Sequence, residues 1–408
     1  MARLNRRSGG ETISTTNVPG VESGVSTPDA YNQMQNDASS FSLTLDSGER
    51  SAIQWIAFDG RNILVGTTGG EWRAGGENGK PITPTNYLLK EVTNRGSKDL
   101  PPVRLSDAYT FVNGTGRKFY KVEYDGLQED YKTIDLTVLA EHITESGIVD
   151  MAFQRNPDEI LWAVRDDGAL LSMTYDPQQN VLAWARHPMT DVVVESVTVI
   201  PGTDEDEVWL FVQRTVDSAT VRYIEKIHAR DWGDDMDDMV FLDCSLTYDG
   251  VAATTITGLD HLEGETVGVL GDGAVMADNT VASGEIELAE SASTVQVGLK
   301  YTYKLKPMRL DQNTRGGTSK GSIKFAPEVV VSFYKTLNAK HSDGTTARDI
   351  PWRTVGATYT EAPDLVTGDK VVNTDCGYSV SDPFQIEGTG PMPCTVRAII
   401  PRMAIIGR

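Results

Sequence analysis

An all-β fold is predicted, with a β-propeller-like repeat followed by an antiparallel β-sandwich or barrel, and three features of the sequence carry the prediction. Short runs of β-branched and aromatic residues are broken by Gly, Asp, Asn or Pro at roughly 6- to 12-residue intervals, which is strand-and-turn punctuation. Apolar residues at helical spacing are scarce. A grammar of apolar strand, polar turn, Trp-centred strand and Gly turn recurs along the middle of the chain.

With 408 residues the chain can bury a sizeable core, and surface-to-volume scaling favours two or three units over one. Hydrophobic residues at 39% and charged residues at 23% are globular proportions, so most of the chain is expected to fold. Residues 1–38 are the exception. Rich in Ser, Thr, Gly, Asn and Gln, they bury too little apolar surface to offset the entropy of ordering. They are read as a polar N-terminal arm that orders against a neighbour.

Residues 39–298 are read as the propeller-like domain. Its first unit is Ala52–Phe58, the turn Asp59–Asn62, a strand from Ile63 and the segment ending at Trp72. A weaker copy covers Val103–Tyr124. The clearest unit runs from Gly147 to Trp184, with turns at Gln154–Asp158, Arg165–Gly168 and Asp176–Asn180, and reads as a four-stranded meander. Another follows over Val192–Glu225, and a fifth, weaker one over Thr255–Leu288. Starts near Ile53, Val103, Ile148 and Val197 are spaced like the ~40–50 residues of a propeller blade. Such units bury their apolar faces by stacking on each other. About five are recognisable, which leaves open whether a ring closes within one chain.

From residue 299 to 408 the blade grammar gives way to strands at Tyr301–Leu310, Ser322–Phe325, Glu328–Tyr334 and Cys394–Ile406, joined by long polar loops. This is the expected C-terminal sandwich or barrel. Loops such as Asp311–Lys320 and Thr336–Arg348 are natural places for partner contacts.

Charge and cysteine usage exclude several classes of function. With 58 acidic against 37 basic residues, a net charge of −21 argues against a basic groove that neutralises phosphates. It keeps the protein soluble, and it would also keep a DNA conduit from holding its cargo. Cys244, Cys376 and Cys394 are odd in number and far apart, which supports neither a disulfide framework nor a zinc site. No apolar run reaches the ~18 residues of a membrane span. The basic start lacks the apolar stretch of a secretory signal.

No pattern specifies catalysis, a cofactor or a metal, so catalytic, cofactor-binding and metal residues are all read as none and the chain as not an enzyme. The densest acidic cluster, Asp231–Asp238, lacks the ligand spacing of a calcium loop and reads as solvated. His142, His187, His228, His261 and His341 form no metal or nucleophile motif. The glycine-containing stretches Gly66–Trp72 and Gly114–Lys118 are not phosphate loops and fit tight turns between strands. Trp55, Trp72, Trp162, Trp184 and Trp209 follow the blade grammar and are read as core packing rather than as sugar platforms.

Several longer stretches occur in one order: Ile63–Trp72 followed by Pro81–Thr85, then Asp135–Ile143, Gly147–Gln154, Trp162–Leu171, Val221–Glu225 and Gly258–Val267. Together, from about Phe41 to Tyr303, they resemble the podovirus and prophage tail family known as nozzle, or tail tubular protein B. The resemblance implies a structural protein of the virion tail, assembled in the bacterial cytoplasm. It implies a homo-oligomer, a hexameric ring, beneath the tail adaptor protein with tail fibre or spike proteins docked near by. Genomic DNA would pass through it without specific binding. In this family a long β-rich section usually precedes the strand equivalent to Phe41; here the polar arm stands in its place. Two other readings remain: a receptor-binding or fibre-docking module, and a propeller glycosidase, for which paired carboxylates in a central pocket would be needed.

Overall fold

A computed structural model describes residues 2–7, 10–15, 41–45, 51–106, 108–189, 191–233, 235–309, 311–314, 317–353, 364–374, 377–380 and 384–406. Nearly every regular element is a strand, and no α-helix occurs among these residues. The protein is all-β and built from small antiparallel sheets arranged as a propeller-like series. It divides into two compact units, Met1–His187 with Val193–Val212, and Pro188–Val192 with Gln213–Arg408.

The first unit begins with a three-stranded sheet of β1 (Ala2–Arg7), β2 (Gly10–Thr15) and β3 (Phe41–Thr44). Two of these strands fall in the stretch expected to be an arm. Their backbone groups are satisfied within the chain, Ala2 pairing with Thr15 and Thr12 with Thr44. Residues 16–40 lie outside the described residues.

Three four-stranded meanders follow. The first is β4 (Ile53–Phe58), β5 (Ile63–Thr67), β6 (Glu71–Gly75) and β7 (Leu88–Thr93). The second is β8 (Val103–Arg104), β9 (Tyr109–Val112), β10 (Phe119–Asp125) and β11 (Asp130–Asp135). The third is β12 (Ile148–Gln154), β13 (Ile160–Arg165), β14 (Leu170–Asp176) and β15 (Val181–His187).

The same stitch joins each sheet to the next. The N–H of Ser97, ahead of the second sheet, donates to the carbonyl of Thr67 at 2.7 Å. That of Ile148 donates to Gly116 at 2.8 Å, and that of Val194 to Gly168 at 2.9 Å. In each case the hairpin between a sheet's second and third strands accepts from the start of the following sheet. Gly168, at φ +81°, makes the last stitch possible, since a Cβ there would lie 2.5 Å from Val193 Cγ1.

Apolar side chains fill the spaces between these sheets. Trp55 and Leu64 pack with Phe111, Tyr120 and Val122 of the second sheet, while Phe119 and Leu136 meet Ile148, Met151, Leu161 and Met173 of the third. Each such side chain, fully buried, contributes on the order of 1.5–3 kcal/mol. The aromatic pairs Trp55–Phe111 and Phe119–Trp184, with centroids 5.6 and 5.1 Å apart, cross the two junctions.

A three-stranded sheet of β16 (Val192–Ile200), β17 (Glu207–Val216) and β18 (Ala219–Lys226) comes next. On β17 alternate residues from Val208 to Val216 are buried, as expected of a strand with one solvated face. The polar member of that row, Arg214, is held by Glu225 and Asp243.

The second unit departs from a sequential meander. Its five-stranded sheet contains β19 (Asp243–Thr257), β20 (Thr266–Gly271), β21 (Ala274–Val275), β22 (Asn279–Thr280) and β23 (Glu285–Leu299), and β23 lies between β19 and β20. The pairing of β19 with β23 is long enough to outcompete a local meander and spans three register shifts.

The remaining strands are β24 (Thr302–Leu305), β25 (Asn313–Thr314), β26 (Gly317–Thr318), β27 (Ile323–Thr336), β28 (Lys340–Ser342), β29 (Ala347–Asp349), β30 (Val366–Asn373), β31 (Gln385–Thr389) and β32 (Thr395–Ile406). The sheets β30-β27-β32 and β24-β31-β28-β29 share a core in which Val329, Val331 and Phe333 meet Ile386. A further cluster of Met239, Leu270, Leu337 and Met392 ties this region to the preceding sheet. All four side chains of that cluster belong to the second unit.

Candidate functional site

Most of the residues weighed at the sequence level lie among the described residues. Gly66–Trp72 forms the hairpin of β5 and β6, closed by a hydrogen bond from the Thr67 hydroxyl to the Gly70 carbonyl at 2.7 Å. Gly114–Lys118 is the turn between β9 and β10, with Asn113 Oδ1 accepting from the N–H groups of Arg117 and Lys118. In the acidic stretch, Asp231 and Asp235 accept from the N–H groups of Gly233 and Asp237; Asp234 lies outside the described residues. No group of three or more metal-ligating side chains occurs among the described residues.

The histidines are dispersed. His187 Nε2 lies 2.8 Å from Ser172 Oγ across β14 and β15, with the Trp162 ring 5.1 Å away, and burial holds its pKa below the ordinary imidazole value. His261 contacts the Cys244 carbonyl at 3.3 Å, and His228 that of Ala229 at 3.1 Å. Cys244 and Cys394 are free thiols, and burial pushes Cys244 up to about 12; Cys376 lies outside the described residues. Trp55 and Trp162 are buried, and Trp184 donates from Nε1 to the Leu136 carbonyl at 2.9 Å. No helix of the described residues is long and apolar enough to cross a membrane.

A cleft of about 220 Å³ in the first unit brings together residues that the sequence reading did not connect. The turn between β4 and β5 supplies Asp59 and Arg61, the end of β8 supplies Arg104, and β9–β11 supply Tyr109, Tyr124 and Tyr131. Both oxygens of the Asp59 carboxylate accept hydrogen bonds. Its Oδ1 accepts from the N–H groups of Arg61 and Asn62 at 2.8 and 2.7 Å, and its Oδ2 accepts from the Tyr131 hydroxyl. Asn62 Nδ2 also donates to Tyr131 at 2.8 Å. Burial first, then the Asp59 carboxylate, raises the pKa of the Tyr131 phenol, so it stays a donor.

The two guanidinium groups are held differently. Arg61 lies over the Tyr124 ring, with Cζ 4.9 Å from the centroid, and Arg104 is exposed at the strand end. Neither makes an ion pair among the described residues. Tyr124 and Tyr131 meet edge to face at 5.4 Å, and Tyr109 donates to the Phe58 carbonyl at 2.9 Å. A sequence signal existed in the Arg of the turn Asp59–Asn62 and the tyrosines of residues 109–131, but nothing in their spacing links them.

No family model and no curated protein matches the chain. Among solved structures it is similar to the crystal structure of a protein from Bacteroides uniformis described as "putative 6-phosphogluconolactonase". The match has 11% identity and a TM-score of 0.29, and covers 85% of this chain and 97% of that one. A likeness of that degree carries no inference about activity.

Proposed function

We propose that the chain is a structural subunit of a short bacteriophage tail, a nozzle or tail-tubule protein of the virion that assembles into a ring and is not an enzyme. The observation that carries the reading is the ordered set of motifs between Phe41 and Tyr303 that resembles the nozzle family. The motif stretches fall in register with the sheets: Ile63–Trp72 spans β5 and reaches β6, Gly147–Gln154 covers β12, Trp162–Leu171 covers the hairpin of β13 and β14, and Val221–Glu225 lies on β18. These four stretches lie on the strands and hairpins of successive sheets, while Pro81–Thr85, most of Asp135–Ile143 and most of Gly258–Val267 lie in the connections. The net charge of −21 agrees with a wall that does not retain DNA.

In this reading the ring is hexameric, is capped by the adaptor protein, receives fibre or spike proteins and passes genomic DNA without sequence readout. Electron microscopy of the purified full chain tests it. Rings are expected, and antibodies against the protein are expected to decorate the tail of the parent virion. A chain that stays monomeric at high concentration and is missing from virions would refute the reading.

A further inference from the structure

The paired arginines of the cleft between the first two meanders have no work in a conduit. In a chain of net charge −21, two guanidinium groups without carboxylate partners at one concave site stand out electrostatically. We propose that this cleft binds a carboxylate-bearing sugar, one acidic pyranose residue of a surface polysaccharide.

Four features carry the assignment. First, stacking of Arg61 on Tyr124 fixes the guanidinium plane and leaves its N–H edge free, and that edge matches a carboxylate in a two-bonded geometry. Second, no ion pair joins Asp59 to Arg61 or Arg104 among the described residues, and its oxygens accept instead from the Arg61 and Asn62 backbone and from Tyr131. Third, Tyr109, Tyr124 and Tyr131 give the cleft an aromatic wall against which the C–H face of a sugar ring packs, and the Tyr124 hydroxyl, unlike those of Tyr109 and Tyr131, is not taken by another of the described residues. Fourth, at about 220 Å³ the cleft is smaller than the roughly 300–1,000 Å³ of sites that enclose drug-sized ligands, and suits a single ring.

The cleft also lies where such a ligand could be reached. The turns β4–β5, β8–β9 and β10–β11 gather at one end of their sheets, opposite the hairpins that carry the stitches between sheets. Occupancy of the cleft therefore does not compete with those contacts. The inference is separate from the tail assignment, and either can fail alone.

Titration of the full chain with glucuronate, followed by calorimetry, is the test, with glucose, glutamate and glucose 6-phosphate as controls. Glucuronate is expected to bind at least tenfold more tightly than glucose, which lacks the charge, and than glutamate, which lacks the ring. Arg61→Gln and Arg104→Gln should each weaken glucuronate at least tenfold with an unchanged thermal midpoint, since both side chains are exposed; Arg104→Lys, which keeps the charge but loses the fork, should fall between. Four outcomes overturn the proposal: no binding, equal binding of glutamate, preference for glucose 6-phosphate, or binding indifferent to both substitutions.

Discussion

Glu71 is the residue at which burial and charge conflict most directly. It starts β6 with 2% of its surface exposed, and its Oε1 accepts from the Ser97 hydroxyl at 2.7 Å. Burial pushes its carboxyl from the ordinary 4.5 up to about 7, outweighing the Ser97 hydrogen bond and the charge of Arg95. Because the folded value is the higher one, folding favours the protonated form. Below pH 4.5 both states hold the proton and nothing is lost. As pH rises from about 4.5 to 7 the unfolded chain ionises first, and stability falls by an amount on the order of 3 kcal/mol. Glu71→Gln keeps a partner for Ser97 and removes the charge. Urea unfolding of the first unit's signal at pH 5 and pH 8 should show the wild type losing stability between them and the variant losing much less. Equal pH slopes in the two proteins would mean that Glu71 does not hold a proton in the fold.

Among the sheets, the joints between neighbours decide whether a series of meanders is one body or a string of hairpins. The joint that follows the third meander depends on Asp206, which is 8% exposed and accepts through Oδ2 from the N–H groups of Arg155 and Asn156 at 2.8 and 3.2 Å. Gln154 adds a bond from Nε2 to the Asp206 carbonyl at 3.3 Å and accepts from Trp162 Nε1 at 3.0 Å. Asp206→Ala leaves two backbone donors without their acceptor, at a cost of about 1–3 kcal/mol, whereas Asp206→Asn retains one acceptor oxygen and should cost less. Hydrogen exchange is the appropriate measurement. Arg155 and Asn156 amides are expected to lose protection in the alanine variant while amides of β9 and β10 keep theirs. Loss of protection throughout would show that the sheets unfold together.

How far these elements could be read from the sequence follows from the range of the interactions that make them. Starts at Ile53, Val103 and Ile148 coincide with β4, β8 and β12, because local alternation and turn chemistry specify a meander. The next unit, expected over Val192–Glu225, likewise opens where β16 does, at Val192. The placement of β23 between β19 and β20 was not legible, since Thr255 meets Glu287 across the chain through pairing that no short window contains. The cleft was hidden for a similar reason. Arg61 comes from the β4–β5 turn, Arg104 from the end of β8 and Tyr124 from β10, and they become neighbours only when two meanders stack.

At the scale of the whole molecule, the net charge makes a demand on any ring. Subunits of charge −21 repel one another, and the repulsion between exposed charges decays over a Debye length of ~10 Å at 0.1 M salt and ~3 Å at 1 M. A ring held by apolar and backbone contacts must therefore overcome a repulsive term that salt weakens, while its hydrophobic contacts do not weaken with added salt. Added sodium chloride is then expected to promote assembly of this protein. Sedimentation velocity across 0.05 to 0.5 M salt at fixed protein concentration should show the ring fraction rising; these concentrations are chosen to take the screening length from roughly 14 to 4 Å. The opposite trend, rings dissolving as salt is added, would mean that the interfaces join oppositely charged patches strongly enough to override the net charge. The subunit surfaces would then have to segregate their basic side chains at the contacts, and the stretch from Lys300 to Lys340, rich in Lys and poor in acidic residues, is where such a contact would be sought.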